Sequence, residues 1–103
     1  MQIDLNQLNN LRSAAGAACS LLQVLANPDR LLLLCHLSQG EKNVSELEQL
    51  LDLHQPSLSQ QLGVLRRKNL GTVRREGKWM VYSIADEKVL HLIQTLHHLY
   101  CPN

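Results

Sequence analysis

Between Ser45 and Leu65 the chain reads SELEQLLDLHQPSLSQQLGVL, two short amphipathic segments on either side of a tight break. A basic segment, a Glu76-Gly77 turn and a second strand-like run follow directly. Helix, turn, helix and hairpin in that order predict a winged helix-turn-helix, a mainly α fold with a small β-hairpin. Ser45 followed by Glu48 fits a capping box for the first segment, whose Leu47, Leu50 and Leu51 face inward. Asp52-Leu53-His54 makes the turn, and Pro56 at a first helical position opens the second segment. Leu58, Leu62 and Leu65 then form its buried stripe. Its opposite face carries Pro56, Gln60, Gly63 and Arg67, flanked by Ser57, Ser59 and Val64. That face is polar and small at Gly63, which suits close approach to a DNA groove.

The flanks extend the pattern. Leu8, Leu11, Ala15, Ala18, Leu22 and Leu25 recur at helical spacing and predict a long first helix whose seam wants a partner helix. Asn27-Pro28-Asp29 supplies a cap, a helix-starting proline and an acid at the positive helix end, so a second helix starts there and ends near Gln39-Gly40. Gly77 marks a turn between strands Thr72 to Arg75 and Lys78 to Ile84, with Met80, Tyr82 and Ile84 alternating with Trp79, Val81 and Ser83. Asp86 and Glu87 open a last helix whose Val89, Leu90, Leu92, Ile93, Leu96, Leu99 and Tyr100 cover more than one face. A terminal helix that apolar packs against a second subunit. With 103 residues the chain makes one domain, residues 1–103, with a modest core that a homodimer through the first and last helices would enlarge.

Net charge is only +1, but it is unevenly spread. Arg66, Arg67, Lys68, Arg74, Arg75 and Lys78 fall in one short stretch with a single acid, Glu76, which makes a basic patch between helix and hairpin. In the major groove, Gln60 and Ser59 are the base-reading candidates, and Gln55 and Ser57 stand where they meet a base or a phosphate. Arg67, Arg74, Arg75 and Lys78 fit contacts to the DNA backbone. One module buries too little surface for tight specific binding, so the expected partner is double-stranded DNA carrying a palindromic operator, held by a homodimer.

Several classes fall away. The start Met1-Gln2-Ile3-Asp4 lacks the basic, apolar pattern of a signal peptide, and the run from Leu31 to Leu37 is interrupted by Cys35 and His36, so neither secretion nor a membrane is expected. Cys19, Cys35 and Cys101 are an odd number without a CxxC pair, as in a cytoplasmic chain with reduced thiols. No CxxC and no substrate-binding Gly-rich loop supports an enzyme, and no cofactor is expected.

The segments QPSLSQQLGVLR and RREGKWMVYSI closely resemble the ArsR/SmtB family of bacterial repressors, over about Leu22 to Cys101. The resemblance implies a homodimer that leaves its operator when an inducer, often a metal ion, binds. Two metal sites of that family are not reproduced. Its Cys-x-Cys pair at the start of the third helix is here Asn43-Val44-Ser45. Its zinc site on the last helix has an Asp and a His two residues on, then a His and an acid; here Asp86 is followed by Lys88, and the later pair falls on Leu99 and Pro102. His91, His97 and His98 leave a zinc-sensing repressor as the alternative reading. Gly71 is a departure, since family strands usually start there with a branched apolar residue.

Cys35 on the second helix and Cys101 in the ending LYC match positions used by the BigR/SqrR/HlyU branch, which senses persulfides and oxidants. The resemblance implies that these two form a redox switch, joined by a disulfide or a polysulfide chain when a reactive sulfur species or an oxidant arrives, with loss of the operator. Some members of the branch activate rather than repress. The helical neighbours of Cys35 are Leu31 and Leu32 on one side and Ser38 and Gln39 on the other; His36 adjoins it, and His97 and His98 lie one turn before Cys101. Cys19, beside Ala15 and Leu22, is read as structural.

Overall fold

Asn27 accepts a hydrogen bond from the Arg30 backbone N–H, Pro28 occupies the first turn and Asp29 follows, so a helix begins where the sequence requires one. A computed structural model describes residues 4–101 of the chain. Its elements are α1 (Leu5–Leu25), α2 (Pro28–Leu37), β1 (Lys42–Asn43), α3 (Val44–Leu51), α4 (Ser57–Arg67), β2 (Gly71–Glu76), β3 (Trp79–Ile84) and α5 (Glu87–Tyr100). This is a winged helix-turn-helix: α3 and α4 meet around a turn at left-handed Asp52, and the β2–β3 hairpin is the wing. Residues 1–3, read above for a signal peptide, and Pro102 lie outside the described residues.

The core is built largely from leucine. Leu33, Leu34 and Leu37 of α2, Leu47 of α3, and Leu58, Leu62 and Leu65 of α4 bury together with Val89 and Ile93 of α5. Tyr82 of the wing and Leu70, which leads into it, close the cluster. Leu50 departs from expectation: its side chain is 48% exposed, while Leu47 alone of the α3 leucines is fully buried. An eight-residue helix has room for one deep contact per face.

Three helix boundaries differ from the sequence expectation. The α3 capping box is formed by Asn43 and Glu46, not Ser45 and Glu48: Asn43 Oδ1 accepts from Glu46 N at 2.8 Å and Glu46 Oε1 accepts from Asn43 N at 3.0 Å. Both pairs have the required spacing, and the earlier one wins because it starts the helix directly at the end of β1. Pro56 precedes α4 rather than opening it, a one-residue shift within ordinary helix-end variation. The α2 helix ends at Leu37, and Ser38 to Gly40 form the turn instead of a last helical step.

Lys42 and Asn43 pair with Tyr82 and Val81, so β3 of the wing is the central strand of a three-stranded antiparallel sheet in the order β1-β3-β2. The hairpin register runs from Gly71↔Ile84 to Glu76↔Trp79, so the first strand extends one residue beyond Thr72 to Arg75 at each end, and Lys78, expected to open the second strand, joins Gly77 in a two-residue turn. Gly77 has φ 59 and Lys78 does not share that sign, as in hairpin turns with glycine at the first central position. Gly71 is buried, and a Cβ there would stand 3.3 Å from the Cβ of Leu65, so glycine lets β2 lie close against α4.

The first helix behaves differently from the rest. Apart from Leu21, Val24 and Leu25 at its end, the described α1 residues are exposed. Of its predicted seam, Leu25 alone is buried on the single chain, and Cys19, expected as a structural thiol, is exposed. Among the described residues no single helix is long and apolar enough to cross a membrane.

Candidate nucleic-acid interface and thiol pair

The buried stripe of α4 fixes which way its other face points. With Leu58, Leu62 and Leu65 in the core, Ser57, Ser59, Gln60 and Arg67 are exposed on the outside, together with Gln55 in the preceding turn. Gly63 is half-buried, and a Cβ there would come within 3.2 Å of Arg67 Nη1, so the small residue also leaves the arginine its place. Arg30 secures this helix from behind, donating from Nε to the Val24 carbonyl at 2.7 Å and from Nη1 to Gln61 Oε1 at 3.2 Å. Nothing in the periodicity marks that brace, which ties α1, α2 and α4 at one point.

Gln60, Ser57 and Arg67 make no side-chain hydrogen bond among the described residues, whereas Gln55 and Ser59 are engaged with each other. Ser59 Oγ donates to Gln55 Oε1, and Gln55 Nε2 donates to Glu48 Oε1 at 3.4 Å. Gln55 is thus steadied by both helices of the motif. An amide held in this way reaches a base with less conformational entropy to lose.

On the wing, Arg74, Arg75 and Lys78 are all exposed. Arg75 Nε donates to the Gly77 carbonyl at 3.1 Å, and Lys78 Nζ stands 5.1 Å from the centre of the Trp79 ring, close enough for a cation–π contact. Arg74 is paired with the carboxylates of Glu41 and Glu76, which together hold its guanidinium further above its already high range, Glu41 more than Glu76. Glu41 carried no signal in the sequence. It lies just ahead of the two-residue β1, and strands that short have no readable alternation.

The second feature joins α2 to the end of α5. Cys35 is half-buried on α2, and Cys101 is exposed at the C-terminal cap of α5, its N–H donating to the His97 carbonyl at 2.9 Å. Burial, and after it the charge of a nearby Cys101 thiolate, push the Cys35 thiol above its ordinary range. The fold therefore brings two thiols separated widely in sequence into electrostatic reach of each other. Both are free thiols, as is Cys19. His91, His97 and His98 join no comparable constellation: among the described residues no three His, Cys, Asp or Glu side chains are placed to hold one metal ion.

Comparison with known proteins supplies the family. Residues 27–70 match the family model described as bacterial regulatory protein, arsR family. The biofilm growth-associated repressor of Agrobacterium fabrum is 51% identical over 91 residues, spanning 88% of this chain and 78% of that protein. The crystal structure of the transcriptional regulator HlyU from Vibrio vulnificus superposes with a TM-score of 0.87 at 40% identity, covering 91% of this chain and 98% of the other. The transcriptional repressor BigR from Xylella fastidiosa gives 0.84 at 38% identity, covering 92% and 97%.

Proposed function

The chain belongs to the arsR family of bacterial regulatory proteins, which are DNA-binding transcriptional regulators, and from that premise we propose that it is a cytoplasmic, homodimeric repressor switched by a dithiol. In this reading α4 enters the major groove of a palindromic operator, with Gln60 and Ser59 at base edges and Gln55 and Ser57 beside them. Arg67, Arg75 and Lys78 meet the phosphates, and Arg74, paired with Glu41 and Glu76 in the free protein, stands beside them on the wing. The repressors of Agrobacterium fabrum and Xylella fastidiosa among its relatives support the sign of regulation.

The observation that carries the switch is the approach of Cys35 and Cys101 across the packed α2 and α5 helices. A persulfide, RSSH, meets exposed Cys101 first. The Cys101 thiolate attacks the sulfane sulfur and expels RS⁻, leaving a Cys101 persulfide. Cys35, once deprotonated, attacks the inner sulfur and expels HS⁻. The sum is two thiols and one RSSH giving a disulfide, RSH and H₂S, the sulfane sulfur being reduced as the thiols are oxidised. Each further RSSH inserts one sulfur into the bridge and departs as RSH. A bridge between α2 and the end of α5 shifts the helices that set the spacing of two recognition helices.

Coupling of about 2–3 kcal/mol between bridge and DNA-incompetent shape weakens operator binding roughly 30- to 150-fold. The test uses a labelled duplex selected from a random pool by the reduced protein, with anisotropy and intact mass followed as an organic persulfide is added. Wild type is expected to gain the bridge and lose the duplex, and Cys35→Ser to hold it. Release by the Cys35→Ser variant would sink the dithiol mechanism while leaving DNA binding intact.

A further inference from the structure

The wing's central arginine is occupied in the free protein. Arg74 Nη2 donates to Glu41 Oε1 at 2.5 Å and Nε reaches Glu41 Oε2 at 3.4 Å, while Nη1 donates to Glu76. The sheet register explains how Glu41 arrives there. Val81 of β3 is paired on one side with Arg74 of β2 and on the other with Asn43 of β1. Residues directly opposite share a face, as do residues two apart on a strand. Glu41, two before Asn43, therefore projects on the Arg74 face and spans β3 to meet it, with Val81 only 9% exposed between them.

We propose that Glu41 gates the wing: it occupies the Arg74 guanidinium in place of a DNA phosphate and so sets how tightly, and with what salt dependence, the chain binds DNA. The proposal rests on the reading that the wing faces DNA. A guanidinium fork fits a carboxylate and a phosphate by the same two-pronged geometry, so the two anions compete for one donor set. Arg74 and Glu41 side chains are 51% and 49% exposed, and a pair that open contributes little to folding. Its effect falls on the charge presented outward. Arg74 counts toward the basic patch in the sequence, yet its cluster holds two carboxylates against one guanidinium. Glu76 belongs to the wing strand itself; Glu41 comes from 33 residues away and also moors the wing to the strand edge.

The measurement is anisotropy titration of a labelled duplex of mixed sequence over a range of salt, with circular dichroism as the check on folding. No operator is needed, because phosphate contacts are independent of sequence. Glu41→Gln, which keeps shape and removes charge, is expected to bind about three- to tenfold tighter near 0.1 M salt, with the log–log salt slope steeper by about 0.9, one added phosphate contact. In an Arg74→Gln background the same change is expected to do nothing. Unchanged affinity for Glu41→Gln overturns the gate, and so does a gain that persists undiminished in the Arg74→Gln background, since that is mere loss of an acid. Arg75→Gln and Lys78→Gln separate the two layers. If they lower the slope while Glu41→Gln has no effect, the gate alone fails; if neither lowers it, the wing does not meet DNA and the gate falls with it.

Discussion

A thiol's chemistry depends on what surrounds it, and Cys35 illustrates this at the scale of one residue. Burial and then the Cys101 charge both disfavour its thiolate, and the thiolate is the nucleophile. The sign follows: at neutral pH a smaller share of Cys35 is reactive than of a free thiol, and that share grows as the pH rises. Iodoacetamide labelling followed by peptide mass spectrometry should give Cys35 a midpoint above that of a free thiol. Cys101→Ala should move the midpoint down by removing the smaller cause, leaving the part due to burial. A Cys35 midpoint at or below that of an unstructured thiol would contradict this. The resemblance of the sequence to a sulfur-sensing branch named this residue, but its environment could not be read there. A helical wheel supplies neighbours within α2, whereas burial is set by the packed fold and the added charge comes from Cys101 at the end of α5.

At the scale of elements, local rules placed every helix, and where they were ambiguous tertiary pairing decided. Asn43-to-Glu46 and Ser45-to-Glu48 satisfy the same capping pattern. Asn43 has a second task as the last residue of β1, opposite Val81, and this selects it. Replacing a working cap by alanine costs about 0.5–2 kcal/mol. Asn43→Ala should therefore lower the urea midpoint clearly, whereas Ser45→Ala, an exposed non-cap residue, should change stability by less than about 0.5 kcal/mol. Equal losses from the two would mean that the cap lies elsewhere. The buried stripe of α4 and the glycine of the wing turn were legible because each obeys a period or a φ requirement. Strand β1 was not: two residues carry no period, and Glu41 was hidden with it. The single acid noted in the basic patch, Glu76, proved to be half of the story of Arg74.

The molecule as a whole leaves one surface unfinished. The Cα radius of gyration is 16.1 Å, against about 13 Å for a compact chain of this size, and the excess comes from α1 projecting beyond the core. Leu5, Leu8, Leu11 and Leu22 of α1 are 73%, 41%, 57% and 53% exposed, and Leu99 and Tyr100 at the far end of α5 are more exposed than most of them. Alongside runs a mainly apolar groove lined by Ala14, Ala17, Leu21 and Val24 of α1 with Leu70 and Val89, and bordered also by Lys68, Asp86 and Lys88. Fully burying a leucine is worth about 1.5–3 kcal/mol, while association costs an estimated 4–15 kcal/mol. One or two such side chains would not hold a complex together; the set from two copies would offset that cost. In the proposed homodimer a second copy covers this face, and its two-fold symmetry suits the proposed palindromic operator. Sedimentation equilibrium at micromolar concentration should give about twice the chain mass of 11.6 kDa. Leu11→Lys combined with Leu22→Lys should return the chain to monomer with its helical signal largely kept, because neither side chain belongs to the subunit core. Operator affinity should fall with the dimer, since a single recognition helix reads one half-site. A wild-type chain that sediments as a monomer, or a double variant that stays dimeric, would remove α1 from the interface.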